Sequence, residues 1–207
     1  MSQDMRLDQV SINLHGQSLL DLDTTIAPGQ CLTIMGPSGV GKSSLLAFIG
    51  GFLPDVFAAS GRVWLAGEEI TSKPAHLRRT GLLFQDPLLF PHMNVGENLL
   101  FALPAGPDRH HQMQEALASV DMTDFAHRDP ATLSGGQRAR VALVRVLLSR
   151  PRALLLDEPF SKLDTALRAQ IRDLVFAEAA HQNLPTVLVT HDQADADAAG
   201  GPVIHLT

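Results

Sequence analysis

GPSGVGKS, residues 36–43, fits the pattern G-x-x-x-x-G-K-[S/T] and lies between two stretches of different character. Before it, CLTIM (31–35) is a short apolar run that reads as a buried strand. After it, Lys42 to Ile49 reads as a helix that the glycine pair at 50–51 ends. A strand, a glycine turn and a helix in that order form a phosphate cradle. Glycines let successive backbone N–H groups turn inward around phosphate oxygens, and the helix N-terminus adds the positive end of its dipole. Lys42 is then placed to reach the β- and γ-phosphates, and the Ser43 hydroxyl to ligate Mg²⁺. The motif specifies a nucleoside triphosphate and is silent on its purpose.

Outward from this turn, short apolar runs alternate with helical patterns. RVWLAG (62–67), TGLLFQ (80–85), ALLL (153–156) and TVLV (186–189) are strand-like, and residues 165–178 put Leu167, Ile171, Leu174 and Val175 on one helical face. Such alternation marks an α/β fold, a sheet covered by helices. Between Phe84 and Ser134 no run reads as a strand. Asn94 can cap a helix with Glu97 as its capping-box partner, and Val95, Leu99 and Leu103 make an apolar stripe. LPAGPDRHH (103–111) reads as a loop, and Met113, Leu117 and Val120 mark a second helix. Residues 85–135 are therefore expected to be a helical insert within one domain spanning 1–207, whose α/β core is 1–84 and 136–207.

ALLLDEP (153–159) is an apolar strand ending in two carboxylates. An acid at a strand's C-terminal end, beside the glycine turn, supplies the negative charge that a Mg²⁺ shell needs, which fits Asp157. Glu158 is placed to polarise an attacking water as general base. Read alone, the two also fit a charged turn. Gln85 closes GLLFQ and His191 closes TVLVTH; in a parallel sheet both ends lie on the side where ligands collect, although such residues also serve as plain loop positions. Asp164, in SKLD (161–164), fits a helix N-cap. ATLSGGQRAR (131–140) holds no His, Cys or carboxylate, and its Ser134, Gly135 and Gly136 make a poor ordinary helix start, because paired glycines cost backbone entropy there.

Composition narrows the class. The 207 residues are 45% hydrophobic with no low-complexity tract, enough for a proper core. A formal charge of −6 argues against a dedicated nucleic-acid surface. The single cysteine, Cys31, excludes an internal disulfide and reads as a small core residue. No apolar run approaches the roughly 18 residues of a spanning helix, and MSQDMRLDQV lacks the apolar segment of a secretory signal, so a soluble protein is expected.

The glycine turn, Gln85, LSGGQ (133–137), LLLDEP (154–159), SKLD and His191 occur in the order and approximate spacing of an ATP-binding cassette (ABC) ATPase, which the chain resembles over nearly its whole length. GPSGVGKSSLL, LLFQDPLLFPHMNVGEN and LSGGQRARVAL look most like the ATP-binding subunits of bacterial binding-protein-dependent importers. The resemblance implies a P-loop NTPase core of ABC type, with an inserted helical subdomain and an N-terminal antiparallel β portion. It implies ATP and Mg²⁺, with Gly36, Pro37, Ser38, Gly39, Val40, Gly41, Lys42, Ser43 and Ser44 around the phosphates. Ser43, Gln85 and Asp157 would serve the metal, Glu158 would be the base, Lys42 would stabilise charge, and His191 would hold the γ-phosphate. Two copies would face head to tail, with Ser134, Gly135, Gly136 and Gln137 of one closing over the ATP of the other and Asp164 signalling between the sites. Implied partners are a second copy, membrane permease subunits, for which LLFPHMN (88–94) is a candidate contact, and indirectly a periplasmic solute-binding protein. No nucleic acid is implied, and the place of work would be the inner face of the cell membrane, reached through the permease.

The chain departs from that family in two main respects, with Lys162 a milder third. Family members usually stack adenine on an aromatic residue upstream of the glycine turn, whereas this chain has no tyrosine and no aromatic residue before Phe48. Leu14 and His15 occupy the corresponding region, so base contact is expected to be apolar or His-mediated, with weaker stacking. Only sixteen residues follow His191, so no added regulatory domain is expected. Lys162 stands where the family usually has a small residue. A non-transport ABC switch in DNA maintenance or translation is the main rival; the single cassette, acidic balance and lack of heptads weigh against it. A P-loop kinase would leave LSGGQ and His191 unexplained. His110 and His111 lack a third metal ligand, and Arg138, Arg140, Arg145, Arg150 and Arg152 read as a solvated helix edge.

Overall fold

The structure, a computed structural model, describes residues 3–37 and 39–206. Two sheets share the chain. The first is antiparallel, in the order β2 (Gln17–Ile26), β1 (Met5–Leu14), β4 (Phe57–Leu65), β5 (Glu68–Glu69). His15 and Gly16, at φ 50° and 81°, make the two-residue turn between β1 and β2, as the right-handed twist of a hairpin requires. The second sheet is parallel, in the order β6 (Thr80–Leu83), β7 (Ala153–Asp157), β8 (Thr186–Val189), β3 (Cys31–Met35), β9 (Val203–His205). This is the α/β fold expected, with its antiparallel portion at the N-terminus.

Side-chain alternation explains how the layers stack. Leu32, Ile34, Leu155, Val187 and Val189 point to one face of the parallel sheet, and with helix α1 (Lys42–Gly50) and Met5, Leu7, Ile12 and Leu65 of the antiparallel sheet they form one core. Helix α1 carries apolar residues on several sides because it lies between two sheets. Cys31, Leu154, Leu156 and Leu188 point to the opposite face, where α4 (Gly135–Leu148) and α5 (Thr165–His181) cover them. A third cluster joins Val95 and Leu99 of α2 (Val95–Ala102), Met113 and Leu117 of α3 (Arg109–Ala118), and Val141 and Val144 of α4. Helix α4 thus has two buried faces, Ala142 and Leu143 toward the sheet and Val141 and Val144 toward α2 and α3.

Several boundaries differ from the sequence expectation. β6 stops at Leu83, two residues short of Gln85. Helix α3 begins at Arg109, so His110 and His111 lie on it, not in a loop. Helix α6 (Gln193–Ala199) and β9 had no strong apolar period to announce them; β9 exists because Val203, Ile204 and His205 pair with β3. The arginines of α4 are not a solvated edge. Arg145 donates to Asn98 Oδ1 (3.2 Å) and the Leu88 carbonyl (3.0 Å) and lies 5.1 Å from the Phe90 ring centre, while Arg138 and Arg140 donate to the carbonyls of Leu133 and Val120. Carbonyls freed by the irregular segments on either side of α2 and α3 draw these guanidinium groups inward.

Candidate functional site

All five strands of the second sheet are parallel, so the C-terminal ends of β3, β6, β7 and β8 share one edge, and Lys42, Ser43, Asp157, Glu158 and His191 collect there. At the end of β3 the chain turns through residues 36–41 into α1. Ser38, one of the expected phosphate contacts, lies outside the described residues. Gly41 is the N-cap, at φ 97°, and no side chain caps the helix. A Cβ at Gly41 would also meet Leu19 Cβ at 3.0 Å, so the position requires glycine twice over. Lys42 is buried and donates to the carbonyls of Gly36 and Pro37, both at 2.8 Å. The turn therefore curls around its own ammonium group.

Ser43 Oγ donates to Asp157 Oδ1 at 3.0 Å, across 114 residues of sequence. Burial raises the Asp157 carboxyl above its ordinary value, and the neighbouring Glu158 raises it further; the Ser43 hydrogen bond and Lys42 pull it back. A hydroxyl and a half-buried carboxylate at this spacing are hard oxygen donors, a set that suits Mg²⁺, an ion that takes one or two protein ligands and completes its shell with water and phosphate. Gln85 is exposed beyond the end of β6 and forms no part of the Ser43–Asp157 bond.

Glu158 sits in the left-handed region at φ 46°. Its N–H donates to the Val189 carbonyl at 2.9 Å, and its own carbonyl accepts from Ser161 N (3.2 Å) and Ser161 Oγ (2.9 Å). A strained carboxylate held at both ends of its peptide is the kind of position that persists where surrounding structure over-determines it. His191 Nδ1 stands 3.2 Å from Glu158 Oε1, with the His191 side chain 63% exposed. Just behind His191, the buried Asp195 takes a bidentate bond from Arg168 (2.5 and 3.1 Å) and accepts from Thr190 Oγ1 (3.2 Å). Arg168 belongs to α5, whose N-cap is Asp164, accepting from Leu167 N at 3.1 Å. The segment bearing His191 is thereby tied to the helix that Asp164 begins. Sequence reading missed Asp195 and Arg168, whose pairing spans 27 residues and has no local signal.

A cleft of about 390 Å³ lies at this edge, its polar lining made by Gly39, Gly41, Lys42, Ser43, Ser44 and Glu158 and its apolar lining by Leu14, Leu19 and Phe57. Leu14 lies where the sequence placed it. His15 is taken up by the β1–β2 turn and is not part of the lining. Ser134, Gly135, Gly136, Gln137 and Asp164 are not part of it either. At the start of α4, Ser134 Oγ accepts from Gln137 N (3.2 Å) while Gln137 Oε1 accepts from Ser134 N (2.9 Å), a full capping box. Gly135 is exposed, whereas Gly136 is buried, and a Cβ there would meet Leu167 Cδ2 at 2.2 Å.

The family model described as ABC transporter matches residues 19–161. The chain is 48% identical over 193 residues to the uncharacterized ABC transporter ATP-binding protein YnjD of Escherichia coli (strain K12), covering 91% of this chain and 89% of that protein. It is 44% identical over 186 residues to the Fe(3+) ions import ATP-binding protein FbpC of Mesorhizobium japonicum, covering 86% of this chain and 51% of that protein. The spermidine/putrescine import ATP-binding protein PotA 1 of Pseudomonas aeruginosa is 42% identical over 187 residues, with 86% and 50% covered. The chain thus spans most of YnjD and about half the length of the two import proteins.

Proposed function

The chain belongs to the ABC transporter family, and we propose that it is the ATP-binding subunit of an importer, working as a head-to-tail pair with ATP held between two copies. It is an ATP hydrolase of that family. The observation that carries the reading is the convergence of Lys42, Ser43, Asp157, Glu158 and His191 on one edge of the parallel sheet. Lys42, now bonded to the Gly36 and Pro37 carbonyls, exchanges them for phosphate oxygens. Ser43 and Asp157 would hold Mg²⁺, with Gln85 the further donor that the family resemblance implies. Bound there, the ion would supply positive charge that offsets the charge developing on the phosphates. Glu158 takes a proton from the attacking water, and His191, 3.2 Å away, faces the γ-phosphate beside it.

Closure over the phosphate falls to a second copy. The capping box satisfies the start of α4 with its own side chains, yet Ser134 keeps its hydroxyl hydrogen and Gly135 and Gly136 keep N–H groups that a helix start leaves without intrahelical acceptors. None of these residues lines the cleft of its own chain. Residues 85–135 act as a helical subdomain that meets the membrane partner. A groove of about 590 Å³ lined by His76, Phe90, Phe101, Arg145 and neighbours, with Phe101 and Leu88 exposed, is the surface for a permease segment. The import reading is supported by the names of FbpC and PotA 1, each of which this chain resembles over about half of that protein's length. No helix among the described residues is long and apolar enough to cross a membrane, and attachment to the inner membrane face through the permease, with an indirect link to a solute-binding protein, fits that.

Glu158→Gln tests this function. It keeps MgATP binding, lowers turnover by about 10²–10⁴-fold, and accumulates an ATP-dependent dimer on size-exclusion chromatography. Turnover close to that of the unmodified protein would remove Glu158 from the role of base.

A further inference from the structure

The cleft has an apolar lining that the phosphate chemistry leaves unexplained. Its wall comes from three strands. Leu14 is the last residue of β1, Leu19 lies near the start of β2, and Phe57 is the first residue of β4. Leu14 and Phe57 are direct partners in the antiparallel ladder, so their side chains stand side by side on one face. Leu19 leans on the phosphate turn itself, its Cβ 3.0 Å from where a Gly41 side chain would begin. Phe57 is half-buried, anchored on the main core, and its N–H donates to the Pro54 carbonyl at 3.0 Å. The cleft thus has Glu158, Lys42, Ser43 and Ser44 among its walls together with an aromatic ring and two leucines. A triphosphate held by Lys42 and Ser43 in this cleft shares it with that ring.

We infer that Phe57 is the aromatic platform for the nucleotide base, which it stacks beside Leu14 and Leu19. This rests on the nucleotide reading above and extends it to a residue downstream of the phosphate turn. The absence of aromatics before Phe48 therefore does not leave the base without a ring: the ladder between β1 and β4 carries one back to the end of β1. The contact is geometrically unspecific, since every base has a π-face, so it raises affinity for ATP and GTP alike and leaves discrimination to other groups.

The test compares MgATP, MgGTP and inorganic tripolyphosphate binding to the full chain and to Phe57→Leu, Phe57→Ala and Phe57→Trp. Phe57→Leu keeps the apolar volume and the fold while removing the ring. Both Leu and Ala variants are expected to bind MgATP and MgGTP about tenfold more weakly, the scale of one lost base–aromatic stack, with tripolyphosphate binding unchanged within twofold. Phe57→Trp, in a Trp64→Phe background, retains ATP affinity, and its fluorescence responds to ATP but not to tripolyphosphate. ATP affinity unchanged in Phe57→Leu and Phe57→Ala, or tripolyphosphate binding lost in step with ATP, overturns the assignment. If the unmodified chain binds tripolyphosphate but gains nothing from the base, only the platform fails; if it binds neither, the nucleotide reading fails and the platform with it.

Discussion

Two helices of this chain begin at glycine-containing turns, and they treat their unpaired N–H groups in opposite ways. Helix α1 starts from Gly41 with no side-chain cap and a buried lysine at its first position. Helix α4 starts from Ser134 with a reciprocal capping box and no acidic residue in its first turn. The first is unfinished: no side chain caps it, and the Lys42 ammonium donates to the turn's own carbonyls. The second is a finished helix start, stable without any ligand. Under the proposed function, the uncapped start beside the cleft is the anion site within the chain, and the capped start with its exposed glycine is the part offered to a second copy.

The largest expected effect falls on the unfinished start. Lys42→Ala removes two charge-assisted hydrogen bonds at the phosphates, each worth about 1.5–3 kcal/mol. MgATP affinity measured by titration calorimetry should therefore fall by ~10²–10⁴-fold; retention of affinity would deny that α1 is the anion site. Ser134→Ala comes next. It leaves MgATP binding to the single chain unchanged but lowers turnover about tenfold, the worth of one lost hydrogen bond. Mixing the Lys42→Ala and Ser134→Ala chains sharpens the contrast, because a head-to-tail pair of one each retains one undamaged composite site. Turnover should recover on mixing, and no recovery would confine Ser134 to its own chain.

The smallest effect separates the two glycines of α4. Gly136→Ala must displace Leu167 and should destabilise the fold by about 1–3 kcal/mol, a loss of ~2–4 °C in Tm for each kcal/mol in a chain of this size. Gly135→Ala meets only Leu163 Cδ2 at 4.0 Å and should leave Tm unchanged in a thermal melt. Equal melting of the two variants would show that the burial of Gly136 against α5 is not what demands glycine there.

Gly136 also shows what sequence reading does not reach. From the sequence the two glycines are alike; in the fold Gly135 is open, whereas Leu167 of α5 passes over Gly136. Asp164 was legible as a helix cap, and the capping bond to Leu167 is present. Lys42, Ser43, Asp157 and Glu158 were legible because each belongs to a short motif whose local backbone defines the role. Gln85 was placed at the end of a strand that in fact stops at Leu83. Phe57, Asp195 and Arg168 were not legible at all, since each matters through a partner far away in sequence: Leu14 across a ladder, or an arginine and an aspartate on two different helices.

Cys31 illustrates the same division in miniature. Its type and neighbours already announced a buried strand; burial to 6% exposure, which pushes its thiol up to about 12, came from α4 and α5 closing over that face of the sheet. By itself, then, the sequence determined the strand–turn–helix phosphate cradle, the alternation of strands and helices, and the acidic pair at the end of β7. These depend on contacts between near neighbours, which the order of residues specifies directly. The tertiary structure alone decided that Ser43 meets Asp157 across 114 residues, that Arg145 turns inward, and that a phenylalanine from β4 lines the cleft. Strand order and register bring those groups together, and both emerge only when the two sheets close on their shared core.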